Sequence, residues 1–197
     1  LSPSKLTSLH DFTALSFDGV DDYVEIEDSS SFELTNASFE MWIFPTQWEE
    51  TRALLTKRTS TSTGEFCIFY FNITNSINWD WGLGSSYRWN TGYLPPLNKW
   101  THLVFTRDSS GRKLYVNGTL QASTTSAGVS DNTTSVLRIG MDTYMTRYPY
   151  KGNISEVRIW NVARTQAEIQ ADMNRTLAGD EPGLVGYWRA QETWKLT

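Results

Sequence analysis

The residues best equipped for chemistry lie between Asn78 and Tyr93, in NWDWGLGSSYRWNTGY. This segment gathers Trp79, Trp81, Trp89 and Tyr93 around Asp80, Arg88 and Asn90. Aromatic faces beside a carboxylate, a guanidinium and an amide make a sugar-binding platform, in which the rings stack and the polar groups hydrogen-bond. The same residue types dominate protein–protein hot spots. A third reading is structural. Trp79 and Trp81 are two apart, so on a strand they share one face, and that face would be buried. The sequence leaves all three open.

Catalytic sets are missing. The histidines are His10, in a polar leader, and His102, inside an apolar stretch. There is no His-Glu-x-x-His, Gly-x-Ser-x-Gly, phosphate loop or cysteine pair. Cys67 sits in Phe66-Cys67-Ile68-Phe69-Tyr70-Phe71 and reads as a small buried hydrophobe. Glu25 and Glu27 share a strand face, and paired carboxylates hydrolyse glycosides. A solvated face explains them more simply, and no enzyme is expected.

The elements that would position these groups are strands. In WTHLVFTRDSSGRKLYVNGTLQAS (Trp100–Ser123), Leu103 and Phe105 oppose His102, Val104 and Thr106. Asp108 to Gly111 is a turn, and Asn117-Gly118 supplies the positive φ pair of a tight hairpin. The segment is therefore an antiparallel meander. Further strands are expected at Ala14–Phe17, Tyr23–Glu27, Phe39–Phe44, Ala53–Lys57, Glu65–Ile73, Val136–Gly140, Ile154–Trp160 and Leu184–Trp188. One helix is expected after Thr165-Gln166-Ala167-Glu168, a capping box. The reading gives an arm (1–13), one domain (14–190) and a tail (191–197).

Four segments, in order, carry a family resemblance: ALSFDGVDDYVEI, SFEMWIFP, the Trp100–Ser123 meander, and LRIGMDTYMTRYPYKGNISEVRIWNVARTQAEI. Together they resemble the laminin G-like, concanavalin A-like jelly rolls. The resemblance implies an all-β fold: a two-sheet antiparallel jelly-roll β-sandwich with one short peripheral helix. It also implies a structural calcium ion at Asp18-Gly19-Val20-Asp21-Asp22, held by Asp18 and Asp22 with Glu156 as a partner from the Gly152–Glu156 segment. A turn with three Asp offers the carboxylate and carbonyl oxygens calcium prefers, although Asp also simply favours turns. Laminarinase-like glycosidases share this fold, but their third acid is missing here, since Ser29 and Ser30 follow Asp28. In the family a strand like Gly183–Arg189 commonly precedes the jelly roll; here it comes last. It either folds back on its own sheet, or a terminal segment fills the sheet edge of the next subunit, the donor being the arm, anchored by Leu6, Leu9 and Phe12, or the tail with Trp194.

Composition narrows the partners. The balance of 17 basic and 22 acidic residues, without a basic cluster, argues against nucleic acid. No apolar run approaches the ~18 residues of a membrane span. No leader peptide is visible. Six Asn-x-Ser/Thr sequons occur, at Asn36, Asn72, Asn117, Asn132, Asn153 and Asn174. They fit either a glycosylated secreted protein or a Thr-rich bacterial surface protein, and both are extracellular. Two functions remain. One is a lectin-like binding or adhesion module for glycan or a cell-surface protein. The other is a filament subunit joined head-to-tail through its terminal strands.

Overall fold

The structure, a computed structural model, describes residues 13–60, 64–82, 88–128, 133–144 and 147–190. Its strands are β1 (Leu15–Asp18), β2 (Val24–Ile26), β3 (Ala37–Pro45), β4 (Arg52–Arg58), β5 (Gly64–Phe71), β6 (Ser76–Trp81), β7 (Arg88–Asn90), β8 (Thr101–Asp108), β9 (Gly111–Val116), β10 (Thr119–Thr124), β11 (Leu137–Ile139), β12 (Lys151–Trp160) and β13 (Leu184–Trp188). The expected helix is α1 (Gln166–Asp172), and both halves of its capping box are made by Thr165 and Glu168. The fold is the all-β, two-sheet antiparallel sandwich with one short helix that the resemblance implied.

The first sheet runs β1-β12-β3-β8-β9-β10, with β13 also paired to β12. The second runs β2-β11-β4-β5-β6-β7. Alternation aims one side chain in two at the gap between them. Phe39, Met41, Ile43, Leu103, Phe105, Leu114, Val157 and Ile159 come from the first sheet, and Leu55, Phe66, Ile68, Ile77, Trp79, Trp81, Leu137 and Ile139 from the second. Each such side chain, fully buried, stabilises the fold by about 1.5–3 kcal/mol.

β12 breaks its own alternation. Ile154 and Val157 both reach the core although they are three apart. The register against β3 shifts between Ser155 and Arg158, and Glu156 has φ +52°. The extra residue of a bulge is accommodated there.

The edge of β12 is shared by both ends of the fold. β1 pairs with it at Lys151–Ile154, and β13 pairs with it at Val157–Trp160. They lie end to end. The Thr13 hydroxyl donates to the Ala190 carbonyl, and the Ser155 hydroxyl donates to the Thr13 carbonyl at 2.8 Å. The Leu184–Trp188 strand thus folds back on its own sheet. Residues 1–12 and the tail 191–197, which carry the anchors considered for strand exchange, lie outside the described residues.

The middle of the first sheet's outer face is covered. α1 lays Ile169 on Val104 and Tyr115. Beneath the same segment lie Glu40, His102, Glu156, Arg158, Trp160, Arg164 and Asp172, all buried. Glu40 is the hub. His102 Nε2 lies 3.0 Å from its Oε1, which also accepts from Arg158 Nη1 at 2.8 Å. Its Oε2 accepts from Trp160 Nε1 at 3.3 Å and Arg164 Nη1 at 3.4 Å. Arg158 and Arg164 then donate to backbone carbonyls of Asp172 and Glu168. Residues that alternation places on an outer face are here a polar clasp holding the helix.

The Asn117-Gly118 hairpin forms as expected, with φ +48° and +75°. Its tip is docked. Gln170 donates to the Gly118 carbonyl at 2.8 Å, and a Cβ on Gly118 would come within 3.0 Å of Gln170 and Met173.

Candidate functional site

The second sheet keeps an outer face that α1 does not cover. Cross-strand pairing sets its rows. Thr56, Cys67, Asp80 and Arg88 form one row, and Ala53, Phe69, Asn78 and Asn90 the next. A shallow depression of ≈ 120 Å³, open on one side, lies over these rows. Ala53, Phe69 and Phe71 form its floor, and Thr51, Arg58, Arg88, Asp142, Arg147 and Tyr148 its walls.

Two ion pairs organise it. Arg88 Nε and Nη2 donate to Asp80 Oδ1 and Oδ2, each at 2.9 Å. Those hydrogen bonds hold the Arg88 pKa above its ordinary value. The guanidinium lies 5.0 Å from the ring centre of Phe69 and 4.9 Å from that of Phe71. Arg58 grips Asp142 in the same way, with Nε 3.0 Å from Oδ1 and Nη2 on Oδ2. Tyr148 is tied to β4 by a bond from Ala53 N to its carbonyl at 2.8 Å, and Arg147 lies over the Tyr148 ring, 4.9 Å from its centre. Cys67 is fully enclosed below, and burial pushes its thiol pKa up, so it is no nucleophile.

The sequence-derived aromatic site is divided by the sheet. Asp80, Arg88 and Asn90 stand on the outer face, whereas Trp79, Trp81 and Trp89 point into the core. Trp79 is 0 % exposed and Trp81 1 %. Tyr93 packs against the same core. The tryptophan platform is therefore corrected. The first sheet packs over that face, with Trp79 against Phe39 and Phe105 and Trp81 against Phe39, so no sugar reaches those indoles. Arg112 lies over Trp79 and Trp89, and Arg107 over Trp81. Asn90 Oδ1 is occupied by Ser76 Oγ at 2.6 Å and Gly92 N at 2.9 Å.

The acidic loop is assembled differently from the expected set. Ligand oxygens of Asp18, Asp21 and Asp22 lie within 4.8 Å of one another. Asp22 Oδ2 accepts from Asp18 N at 2.8 Å, and Asp18 Oδ1 from Val20 N at 2.7 Å, which folds the loop around its carboxylates. The donor set is hard oxygen and suits calcium. Glu156 is not part of it. Asp18 pairs with Lys151, five positions along β12 from Glu156. The Glu156 carboxylate instead accepts from Arg158 Nη2 at 2.9 Å and from the Tyr187 hydroxyl. Asp21 takes the third place.

Of the two carboxylates weighed for hydrolysis, Glu25 and Glu27, Glu25 pairs with Arg138 at 2.8 Å; Asp28, next along the chain, pairs with buried Lys57 at 2.8 Å. Of the sequons, Asn36, Asn72, Asn117 and Asn174 are exposed. Asn153 is half-buried in β12, flanked by Ser16 and Phe44, and Asn132 lies outside the described residues. Asn117 Oδ1 accepts from His102 N at 2.9 Å.

A family model described as the concanavalin A-like lectin/glucanases superfamily, Laminin_G_3, matches residues 18–170. The chain belongs to this superfamily. Within it, the chain is 36% identical over 89 residues to the human adhesion G-protein coupled receptor D1, covering 43% of this chain and 10% of that one. It thus spans about a tenth of that curated relative. Among solved structures, a Bacteroides ovatus protein described as a candidate carbohydrate binder superposes with a TM-score of 0.75 at 18% identity, covering 93% of this chain and 53% of the other. Domain 4 of AbnA, an extracellular arabinanase of Geobacillus stearothermophilus in complex with arabinotriose, superposes at 0.62 with 21% identity, covering 80% and 75%. At these identities the likeness establishes the superfamily's jelly-roll fold.

Sequence reasoning missed Arg58, Phe69, Phe71, Asp142, Arg147 and Tyr148. A signal existed for part of this. Cys67, Phe69 and Phe71 alternate on one side of β5 against Phe66, Ile68 and Tyr70 on the other. The Asp142–Tyr148 wall is joined to β4 by tertiary contacts that no local pattern announces.

Proposed function

We propose that this domain is a non-catalytic, extracellular carbohydrate-binding module, and that the outer face of its second sheet is the binding face. One observation carries the reading. α1 and the polar clasp cover the middle of the first sheet's outer face, while the outer face of the second holds an open depression lined by aromatic and charged side chains. A concave site with a few placed polar groups is the usual form of a small-ligand site. The likeness to the Bacteroides carbohydrate-binding candidate and to the domain of the Geobacillus extracellular arabinanase that holds arabinotriose supports the ligand class and the extracellular location. A structural calcium ion in the Asp18–Asp22 loop belongs to the same proposal, held by Asp18, Asp21 and Asp22. Bound there, it would neutralise the clustered carboxylates and tie β1 to β2.

The test is a glycan microarray probed with the folded domain and with Tyr148→Ala. Binding to a defined set of saccharides, lost in the variant, is expected. A folded domain that binds no saccharide overturns the proposal.

A further inference from the structure

We infer that Lys57, Asp28 and Glu65 form a self-modifying site: the Lys57 amine condenses with the Asp28 carboxyl into an isopeptide bond, and Glu65 shuttles the protons. None of the three lines the depression on the second sheet.

The lysine comes first. Leu55 is a core residue of β4, and Lys57, two positions on, has the same inward direction. Its side chain is 0% exposed. An ammonium there has lost its hydration and must be matched or neutralised. Nζ donates to Glu65 Oε1 and to the Thr133 carbonyl, each at 2.6 Å, and lies 2.8 Å from Asp28 Oδ1. Asp28 follows β2 and Lys57 belongs to β4, so the contact crosses β11, which lies between those strands in the sheet.

Glu65 comes second. Its side chain is 2% exposed, and its donors are unevenly shared. Oε1 takes Lys57 Nζ and, at 2.8 Å, Thr133 N, whereas Oε2, also buried, meets no donor among the described residues. Buried polar atoms that serve structure alone are nearly always paired. Burial raises the Glu65 pKa, the nearby Asp28 charge adds to that, and the Lys57 and Thr133 donors do not reverse it. Such a carboxyl readily takes up and releases a proton, with Oε2 as its seat.

The condensation needs no other reagent. Glu65 accepts a proton from the Lys57 ammonium and passes it to the Asp28 carboxylate. The free amine attacks Asp28 Cγ, forming the N–C bond. Glu65 removes a second proton from the nitrogen and delivers it to the departing hydroxyl, and the Cγ–O bond breaks. Two ammonium protons and one Asp28 oxygen leave as water, and one N–H remains on the amide. Reactants held in contact behave as if present at effective molarities of about 10⁵–10⁸ M, which drives a condensation that free solutes do not undergo. The product replaces a buried ammonium with a neutral amide. Asp28, its side chain 33% exposed, gives the released water a way out.

Intact-mass spectrometry of the purified chain, followed by peptide mapping, tests this. The folded protein should be lighter than its sequence by one water, and digestion should yield a branched peptide joining Asp28 to Lys57. Asp28→Ala and Lys57→Met should restore the full mass. Asp28→Asn releases ammonia in place of water and should reach the same final mass as the wild type. Glu65→Gln should keep the full mass while folded, as circular dichroism checks; if it does not fold, the wild-type mass and Asp28→Ala carry the test. Full sequence mass in the folded wild type overturns the inference, as does a lost water mapped to another place such as Asp18-Gly19. A cross-link that persists in folded Glu65→Gln overturns the shuttle role.

Discussion

Glu40 and His102, both wholly shielded from solvent, meet diagonally across β3 and β8, with His102 Nε2 3.0 Å from Glu40 Oε1. Around them the clasp joins α1 to the first sheet. Burial works to raise the Glu40 pKa, but His102, Arg158 and Arg164 outweigh it and hold the carboxyl below its ordinary 4.5. A group depressed in the folded state stabilises fully above its unfolded pKa. That contribution is lost as pH falls through the folded value.

The first prediction follows from that sign. The wild-type melting temperature should drop steeply below about pH 4.5, where the unfolded chain takes up the proton first. Glu40→Gln should flatten that acid limb. At neutral pH it should cost about 3–5 kcal/mol, because Arg158 and Arg164 lose their buried counter-charge. Urea titrations of both proteins between pH 3 and 7 measure the two effects. Parallel acid limbs would assign the pH dependence elsewhere.

Calcium gives the second. If the Asp18–Asp22 loop binds the ion, millimolar calcium should raise the melting temperature and excess chelator should reverse it, since a ligand of the folded state stabilises by mass action. Asp21→Asn should abolish the shift. Glu156→Gln should leave it intact, because Glu156 belongs to the Arg158–Tyr187 cluster. Identical melting curves with calcium and chelator would remove the site.

The third concerns the tryptophans. Trp79→Ala and Trp81→Ala should each destabilise the fold by about 3–5 kcal/mol through the cavity left behind. Trp79 touches Phe39, Phe105, Trp81 and Trp89. Near-wild-type melting with selective loss of glycan binding would restore them to a surface.

Glycan occupancy supplies the fourth. Expressed through a eukaryotic secretory route, the protein should carry glycan at the exposed Asn36, Asn72 and Asn174, while Asn153 stays bare. Asn153 lies on an interior strand between β1 and β3, where a bulky sugar has no room. Peptide mapping by mass spectrometry reads this directly. Full occupancy at Asn153 would mean that it is modified before β12 is enclosed.

Much of the scaffold was legible because local chemistry and tertiary structure agree. Asn117-Gly118 demanded a tight hairpin, Thr165 and Glu168 capped the one helix, and Val157 and Ile159 announced an inward face. The site was less legible because alternation says which residues share a face, not what lies over it. On β6 it grouped Trp79 with Trp81 correctly, yet only the first sheet, packed on that face through Phe39 and Phe105, shows that both point inward. On β12 it set Glu156, Arg158 and Trp160 apart from the core, and α1 then buried them. The Glu156 assignment failed for a third reason. Family spacing carries no information about how far along β12 the Asp18 loop lands.

The meeting of Thr13 and Ala190 beside Ser155 has a mechanical consequence. Any load pulling the two ends of the fold apart arrives at one point, midway along a single edge. From there β1 and β13 would peel away in opposite directions, breaking ladder bonds one after another instead of shearing many at once. The β3–β8–β9 centre of the first sheet, and the depression on the second, would bear little strain until that edge had opened.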